Sequence, residues 1–227
     1  MDIDKYLKFL SSTYVSSEGK VKSRTSGKFI SALKELNSEA VLMSKYWIDI
    51  IELNPERVYL VSDMHIGHES IIKYCSRPFN NVHSMNDNLL SSFLSVLKKG
   101  DVLIIVGDIS MDYNRYGNYF LRQLPCDVVL VAVNHDMDLK TKSIEGHKVD
   151  FMCSTLNVKV GEMNLFLSHY PVNELLLAKN EINVHGHIHN RVLDKSLGTG
   201  GRHFNVSVEV IEYKPIKLLD LIGKFVA

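Results

Sequence analysis

Five short apolar runs, each ending directly in a residue that binds metals or moves protons, constrain this chain more than any other feature. The runs are Val58 to Ser62, Val102 to Val106, Val128 to Val133, Leu165 to Ser168 and Ile182 to Val184. They lead in turn into Asp63-Met64-His65, Gly107-Asp108, Asn134-His135-Asp136, His169, and His185-Gly186-His187-Ile188-His189. Runs this short and rich in Val, Ile and Leu read as buried strands of a mixed or parallel sheet. Between them lies helical spacing, as in Met85, Leu89, Leu90, Phe93, Leu94 and Leu97, so strands alternate with helices in an α/β class. A tail from His203 to Val210 reads as strand and is expected to add to a sheet. In open α/β sheets sites gather beyond the carboxyl ends of the strands, where these loops would converge.

Taken singly, each block has an ordinary explanation. An Asp-x-His after a strand is more often a turn than a ligand pair. Gly107-Asp108 and Asn134 are common turn chemistry, and His169 alone would be a core histidine. Gly186-His187-Ile188-His189 is stronger, because alternate residues leaving a strand point to the same side. Five such blocks in succession point to a metal site. Asp, His and Asn supply oxygen and imidazole nitrogen without thiolate, which suits Mn, Fe, Ni or Zn rather than a Cys-rich structural zinc site. Seven ligands exceed the needs of one tetrahedral ion. They suit two octahedral ions that share a carboxylate and keep positions open for water and substrate, so the site is expected to be dinuclear.

Composition sets the outer bounds. A chain of 227 residues, 45% apolar and 23% charged, is an ordinary globular protein with a sizeable core rather than a disordered one. Twenty-six basic and 26 acidic residues cancel, which argues against a dedicated nucleic-acid binder. Cys75, Cys126 and Cys153 form no Cys-x-x-Cys pair and read as reduced apolar fillers. The start Met1-Asp2-Ile3-Asp4-Lys5 lacks a signal-peptide core, and no apolar run nears the roughly 20 residues a bilayer needs. A soluble, cytoplasmic protein with no membrane contact is the expectation.

The sequence divides near residue 56. Residues 1–55 read as a mainly helical extension, with Phe29, Ile30, Leu33 and Leu36 on one helical face. A second apolar stretch runs from Val41 through Trp47 to Ile51 and stops at Asn54-Pro55. Between the start and the first helix, Lys20, Lys22, Arg24 and Lys28 read as a solvated basic linker. Residues 56–227 carry the site.

The five blocks resemble the calcineurin-like metallophosphoesterase superfamily, whose pattern runs Asp-x-His, Gly-Asp, Gly-Asn-His-Asp/Glu, His, Gly-His-x-His at similar spacings. The match covers roughly residues 57 to 212. It implies a four-layer fold, two mixed β-sheets flanked by helices. It also implies one metal ion on Asp63, His65, Asp108 and His189, and another on Asp108, Asn134, His169 and His187, with Asp108 bridging. A hydroxide held between two divalent ions would attack phosphorus in line, with manganese the first expectation and iron, nickel or zinc the alternatives. His135, no ligand in the family, would donate to the phosphate or protonate the leaving group.

The stretch from Asp63 to Phe79, with Gly67-His68 after the first block and Arg77-Pro78 about a helix later, is similar to a small phosphoesterase branch of bacteria and their phages. Cytoplasmic placement then means the host cytoplasm if the chain is phage-encoded. The Ser168-His169-Tyr170-Pro171 block and the run from Asn205 to Glu209 match the same branch. His68 and Arg77 are candidate contacts to the substrate phosphate; for Arg77 the alternative is a tie to a neighbouring carboxylate. Two departures stand out. Val133 replaces the glycine before Asn134, and Met111 stands where the protein phosphatases carry an aspartate, which argues against that branch. His185 is extra and reads as a supporting or structural group.

The expected substrate is a small phosphoester, a phosphodiester or nucleotide type. A nuclease is the alternative, with Lys20 to Lys28 as its only basic stretch and without interleaved aromatics. A silent binding scaffold is the third reading, against which all seven ligand positions and His135 are chemically intact. The sequence leaves oligomeric state open.

Overall fold

The computed structural model describes residues 47–48, 55–133, 136, 148–198 and 200–226. The helical reading of Phe29 to Leu36, the apolar stretch from Val41 except Trp47 and Ile48, and the loop residues Asn134 and His135 lie outside them. Two five-stranded mixed sheets face each other. In the first, β2 (Val58–Val61), β3 (Val102–Ile105), β4 (Asp127–Val131) and β5 (Phe151–Cys153) run parallel, with β10 (Ile216–Lys217) antiparallel on the β2 edge. The second has the order β1 (Trp47–Ile48), β6 (Leu156–Val160), β7 (Met163–Leu167), β8 (Glu181–His185), β9 (His203–Asn205). Here β6 and β7 form an antiparallel hairpin, and the remaining pairs are parallel. Of the extension's described residues, Trp47 and Ile48 are strand, added at the β6 edge, and Pro55 opens a 3-10 turn.

The strand period of two divides the core. Val58, Leu60, Val102, Ile104, Val129 and Val131 point between the sheets, against Leu156, Val158, Leu165, Leu167 and Val184. Their neighbours Tyr59, Val61, Leu103, Ile105, Val128 and Leu130 point outward, beneath the helices. Both faces of these strands are therefore buried, which is why the sequence shows continuous rather than alternating apolar runs. The outer cover comes from α1 (Glu69–Tyr74), α2 (Val82–Val96) and α3 (Asn118–Arg122), with Met85, Leu89 and Phe93 of α2 fully inserted. A capping box fixes the start of α2, where the Asn81 side chain accepts from Ser84 N at 2.9 Å. Helix α4 (Leu218–Val226) lays Leu218 and Leu221 into the core between the sheets. No helix among the described residues is long and apolar enough to cross a membrane.

The sheets meet where the site was expected. Ser62, just past β2, donates its N–H to Val206 O at 2.8 Å and accepts from Val208 N at 3.1 Å. The tail expected to be strand to Val210 therefore leaves sheet pairing after Asn205 and ties the carboxyl end of β2 to that of β9. Asn205 makes this possible, because its Oδ1 accepts from Ser207 N at 2.9 Å and turns the chain.

Candidate metal centre

Six of the seven expected ligands are described, and all six lie at carboxyl ends of strands: Asp63 and His65 after β2, Asp108 after β3, His169 after β7, His187 and His189 after β8. Five of them, Asp63, His65, Asp108, His187 and His189, have φ between 51° and 68°. The left-handed region costs a side-chain-bearing residue about 1–3 kcal/mol, and only four other non-glycine residues adopt it among those described. Strain concentrated on these residues means that the surrounding structure dictates where their side chains aim.

Those side chains converge. Asp63 is fully buried; its carboxylate accepts from His187 N at 2.9 Å and from Ser207 Oγ at 2.8 Å. Asp108 sits between two imidazoles, with Oδ2 at 3.4 Å from His65 Nε2 and 3.5 Å from His169 Nε2. Its Oδ1 is buried and has no hydrogen-bond partner among the described residues. Burial, then the charges of Asp63 and Asp136, push the Asp108 carboxyl up to about 8. A buried carboxylate facing other carboxylates is costly without a positive partner, and no described Arg or Lys pairs with it.

The outward nitrogens of two histidines are fixed by what their other nitrogens touch. His169 Nδ1 lies 2.8 Å from the Val106 carbonyl, and His189 Nδ1 lies 3.0 Å from Glu209 Oε1. Both partners accept, so Nδ1 carries the proton and Nε2 is left with a lone pair for a cation. His187 packs its ring 4.5 Å from Tyr170 and 5.3 Å from His169, and burial followed by the His169 charge lowers its pKa. The ligand atoms of Asp63, His65 and His189 lie within 4.8 Å of one another, as do those of Asp63, Asp108 and His169. Two overlapping sets of carboxylate oxygen and imidazole nitrogen, with one oxygen orphaned, fit divalent cations. Cys75 also lies near His189 and Glu209, but burial holds its thiol up at about 11, away from the thiolate a metal would need.

Asp136 is a supporting residue to which the sequence assigned no role. It is 1% exposed and accepts from Asp108 N at 3.2 Å, Ile109 N at 3.3 Å and Val133 N at 3.1 Å. It thereby ties Val133, at the end of the β4 run, to the loop that carries Asp108. Asn134 and His135 themselves lie outside the described residues.

Arg77 is a correction. Expected as a phosphate contact, its side chain is fully buried and turned inward. It donates to the Asp63 carbonyl at 2.7 Å and the Met64 carbonyl at 2.9 Å, and pairs with Glu209 at 2.7 Å. A guanidinium suits this task because its planar fork serves several acceptors at once. The alternative reading, a tie to a neighbouring carboxylate, is the one the geometry supports. Glu209 was missed as a functional residue; it stands between Arg77 and His189, 132 and 20 residues away in sequence. Its only signal was its place in the run that starts at Asn205. His68 stays beside the ligands, its ring 5.7 Å from that of His65. His185 faces elsewhere: Nδ1 is 3.0 Å from Gly186 O, the ring packs 5.4 Å from His203, and burial lowers it to about 4. A cleft of about 670 Å³ lies at the opposite, amino-terminal end of β2 by Arg57 and Tyr59 and contains none of these residues.

No family model matches the chain. It is 34% identical over 179 residues to the uncharacterized protein MJ1445 of Methanocaldococcus jannaschii, spanning 77% of this chain and 93% of that one. Among solved structures, the protein of unknown function AQ665 from Aquifex aeolicus overlaps with a TM-score of 0.60 at 25% identity. That overlap covers 74% of this chain and 98% of the Aquifex chain. The Pseudomonas putida nuclease MPE (20% identical) and the Escherichia coli phosphoesterase Yfce (16%) overlap at TM-scores of only 0.32 and 0.37, each over 66% of this chain.

Proposed function

We propose, from the premise that this chain belongs to the same family as the uncharacterized Methanocaldococcus jannaschii protein, that its centre is a metallophosphoesterase site that hydrolyses a phosphate ester. The observation that carries this reading is Asp108 held between His65 and His169 with one carboxylate oxygen unpartnered among the described residues. A carboxylate so placed would be able to serve two cations at once, which suits two-ion phosphoryl chemistry. One ion would rest on Asp63, His65, Asp108 and His189, the other on Asp108, Asn134, His169 and His187, with manganese as the first choice. When bound, such ions supply Lewis acidity, making water a nucleophile near neutral pH and neutralising phosphoryl oxygens.

The chain's own residues do the rest. Glu209 and the Val106 carbonyl hold the His189 and His169 protons on Nδ1, so neither ring can rotate without losing a hydrogen bond. Ser207 and His187 N hold the Asp63 carboxylate in one orientation. His135 would give a proton to the departing ester oxygen, a role worth roughly a hundred- to ten-thousand-fold in rate. His68, its ring beside that of His65, would meet the ester, and a small phosphodiester of nucleotide type is the substrate class we favour.

The test is direct. Metal-stripped protein is reloaded with manganese, its metal content is measured, and turnover of bis-p-nitrophenyl phosphate is compared with that of p-nitrophenyl phosphate. Two bound ions with diesterase activity support the reading, and turnover of the monoester alone redirects it to a phosphatase. A chain that binds fewer than two ions contradicts it.

A further inference from the structure

The loop that carries His65 continues into a second feature. Gly67, at φ 81°, presses against the Tyr116 ring so closely that a Cβ there would lie 2.3 Å from it. Its N–H donates to Asn86 Oδ1 at 3.1 Å. Ile66, Asn86 and Tyr116 then continue as walls of a pocket of about 400 Å³, completed chiefly by Asp87, Arg115 and Tyr119. The pocket therefore shares Ile66 with the loop that carries His65.

Its chemistry is selective. Tyr119 stands 70% exposed at the rim, and the Arg115 guanidinium lies 4.9 Å over the Tyr116 ring. Gln123 donates to Tyr119 O at 3.3 Å and anchors the segment that carries the ring. Flat aromatic and guanidinium faces stack on planar heterocycles and tolerate different bases. Asn86 has its oxygen committed to Gly67, which leaves its amide N–H groups as donors for a ring acceptor. Asp87 is the matching acceptor for exocyclic amines, and it repels phosphate. A ligand in this pocket thus has its ring here and its phosphate elsewhere, with Ile66 as the shared residue. The volume falls in the usual range for small-molecule sites.

We propose that this pocket receives the base of the substrate, so that the ester hydrolysed at the metal centre is a nucleoside phosphate ester. The inference rests on the phosphoesterase reading above, and its test separates the two. Metal-free full-length protein is titrated with adenosine, thymidine and ribose and followed by saturation-transfer NMR. Both nucleosides should bind and ribose should not. Tyr119→Ala should weaken nucleoside binding about tenfold, whereas Tyr119→Phe, which keeps the ring, should retain it. In the manganese-loaded protein, the ratio of kcat/KM for thymidine 5′-(p-nitrophenyl phosphate) over methyl p-nitrophenyl phosphate should fall about tenfold in Tyr119→Ala. Nucleosides that bind no better than ribose, or a ratio indifferent to Tyr119, would overturn the assignment. Nucleoside binding that depends on Tyr119, without turnover of any ester, would support the ligand class and sink the phosphoesterase reading instead.

Discussion

His169 and His189 face the centre in the same way and are held there by different means. His169 is fixed by a main-chain carbonyl, Val106 O at 2.8 Å, and the neighbouring Asp108 loop by main-chain N–H groups that converge on Asp136. His189 is fixed by a carboxylate, Glu209, which Arg77 holds in turn, while Ser207 holds Asp63. In one half of the centre the His169 ring is braced by a main-chain carbonyl, in the other the His189 ring by side chains reaching across the fold. A main-chain acceptor can be displaced only by moving the chain, whereas a side-chain brace can be adjusted one residue at a time.

Asp108 belongs to both halves, and its loss should erase the distinction. Asp108→Ala is expected to lower turnover by about a thousandfold or more, equivalent to about 4 kcal/mol, and to take both ions with it. Retention of one ion at wild-type affinity would show that the halves are independent. The metal-free protein gives a second handle. The folded pKa of Asp108, near 8, lies above the 3.8 of an ordinary aspartate, so between those values the folded state holds the extra proton. Stability is then present at low pH and is lost as pH rises towards 8, by up to about 1.4 kcal/mol per unit. Unfolding curves of metal-free protein at pH 7 and about 8 should show that loss. Added manganese or Asp108→Asn should flatten it.

The backbone-braced half can be reached through Gly107. At φ 83°, a Cβ there would stand 2.5 Å from His169 Nδ1 and 2.9 Å from Val133 Cγ2. Gly107→Ala should push the imidazole off the Val106 carbonyl, cut turnover about a hundredfold and reduce bound metal from two ions towards one. Crystallographic or spectroscopic evidence that His169 has not moved would break the comparison from this side.

The side-chain-braced half answers to Glu209. Glu209→Gln keeps the shape and an acceptor for His189 but removes the charge that faces Arg77. Metal affinity in the half made by Asp63, His65 and His189 should fall about ten- to a hundredfold, with the other half barely changed. Competition titrations with a chelator resolve the two sites. Equal weakening of both would mean that the halves communicate as strongly as they differ.

The same contrast explains what the sequence could reveal. Strands buried on both faces announce themselves, and the runs starting at Val58 and Val102 match β2 and β3 to within a residue. The candidate ligands stood out because each follows closely on such a run. By contrast β6, Leu-Asn-Val-Lys-Val, alternates with polar residues and carries no ligand, so nothing marked it. Arg77 was open to two readings, a substrate contact or a tie to a carboxylate, because sequence conveys charge but not direction. Which way a long side chain turns depends on Glu209 and on two carbonyls that only the fold brings near. Left-handed backbone at Asp63, His65 and Asp108 is equally silent in sequence, since these are not the glycines that usually signal it.

The smallest expected effect tests how fine the side-chain bracing is. Ser207 Oγ reaches Asp63 Oδ2 at 2.8 Å, but His187 N also donates to that carboxylate at 2.9 Å, and Asn205 Oδ1 offers the hydroxyl another acceptor at 2.6 Å. Removing one donor of several leaves the carboxylate oriented and partly satisfied. Ser207→Ala should therefore cost about 1 kcal/mol of stability and weaken metal binding by only a few-fold, confined to the Asp63 half. A hundredfold loss would place Ser207 with Glu209 as a principal brace. No measurable change would show that His187 N alone fixes Asp63, and that even this half leans on backbone more than its side chains suggest.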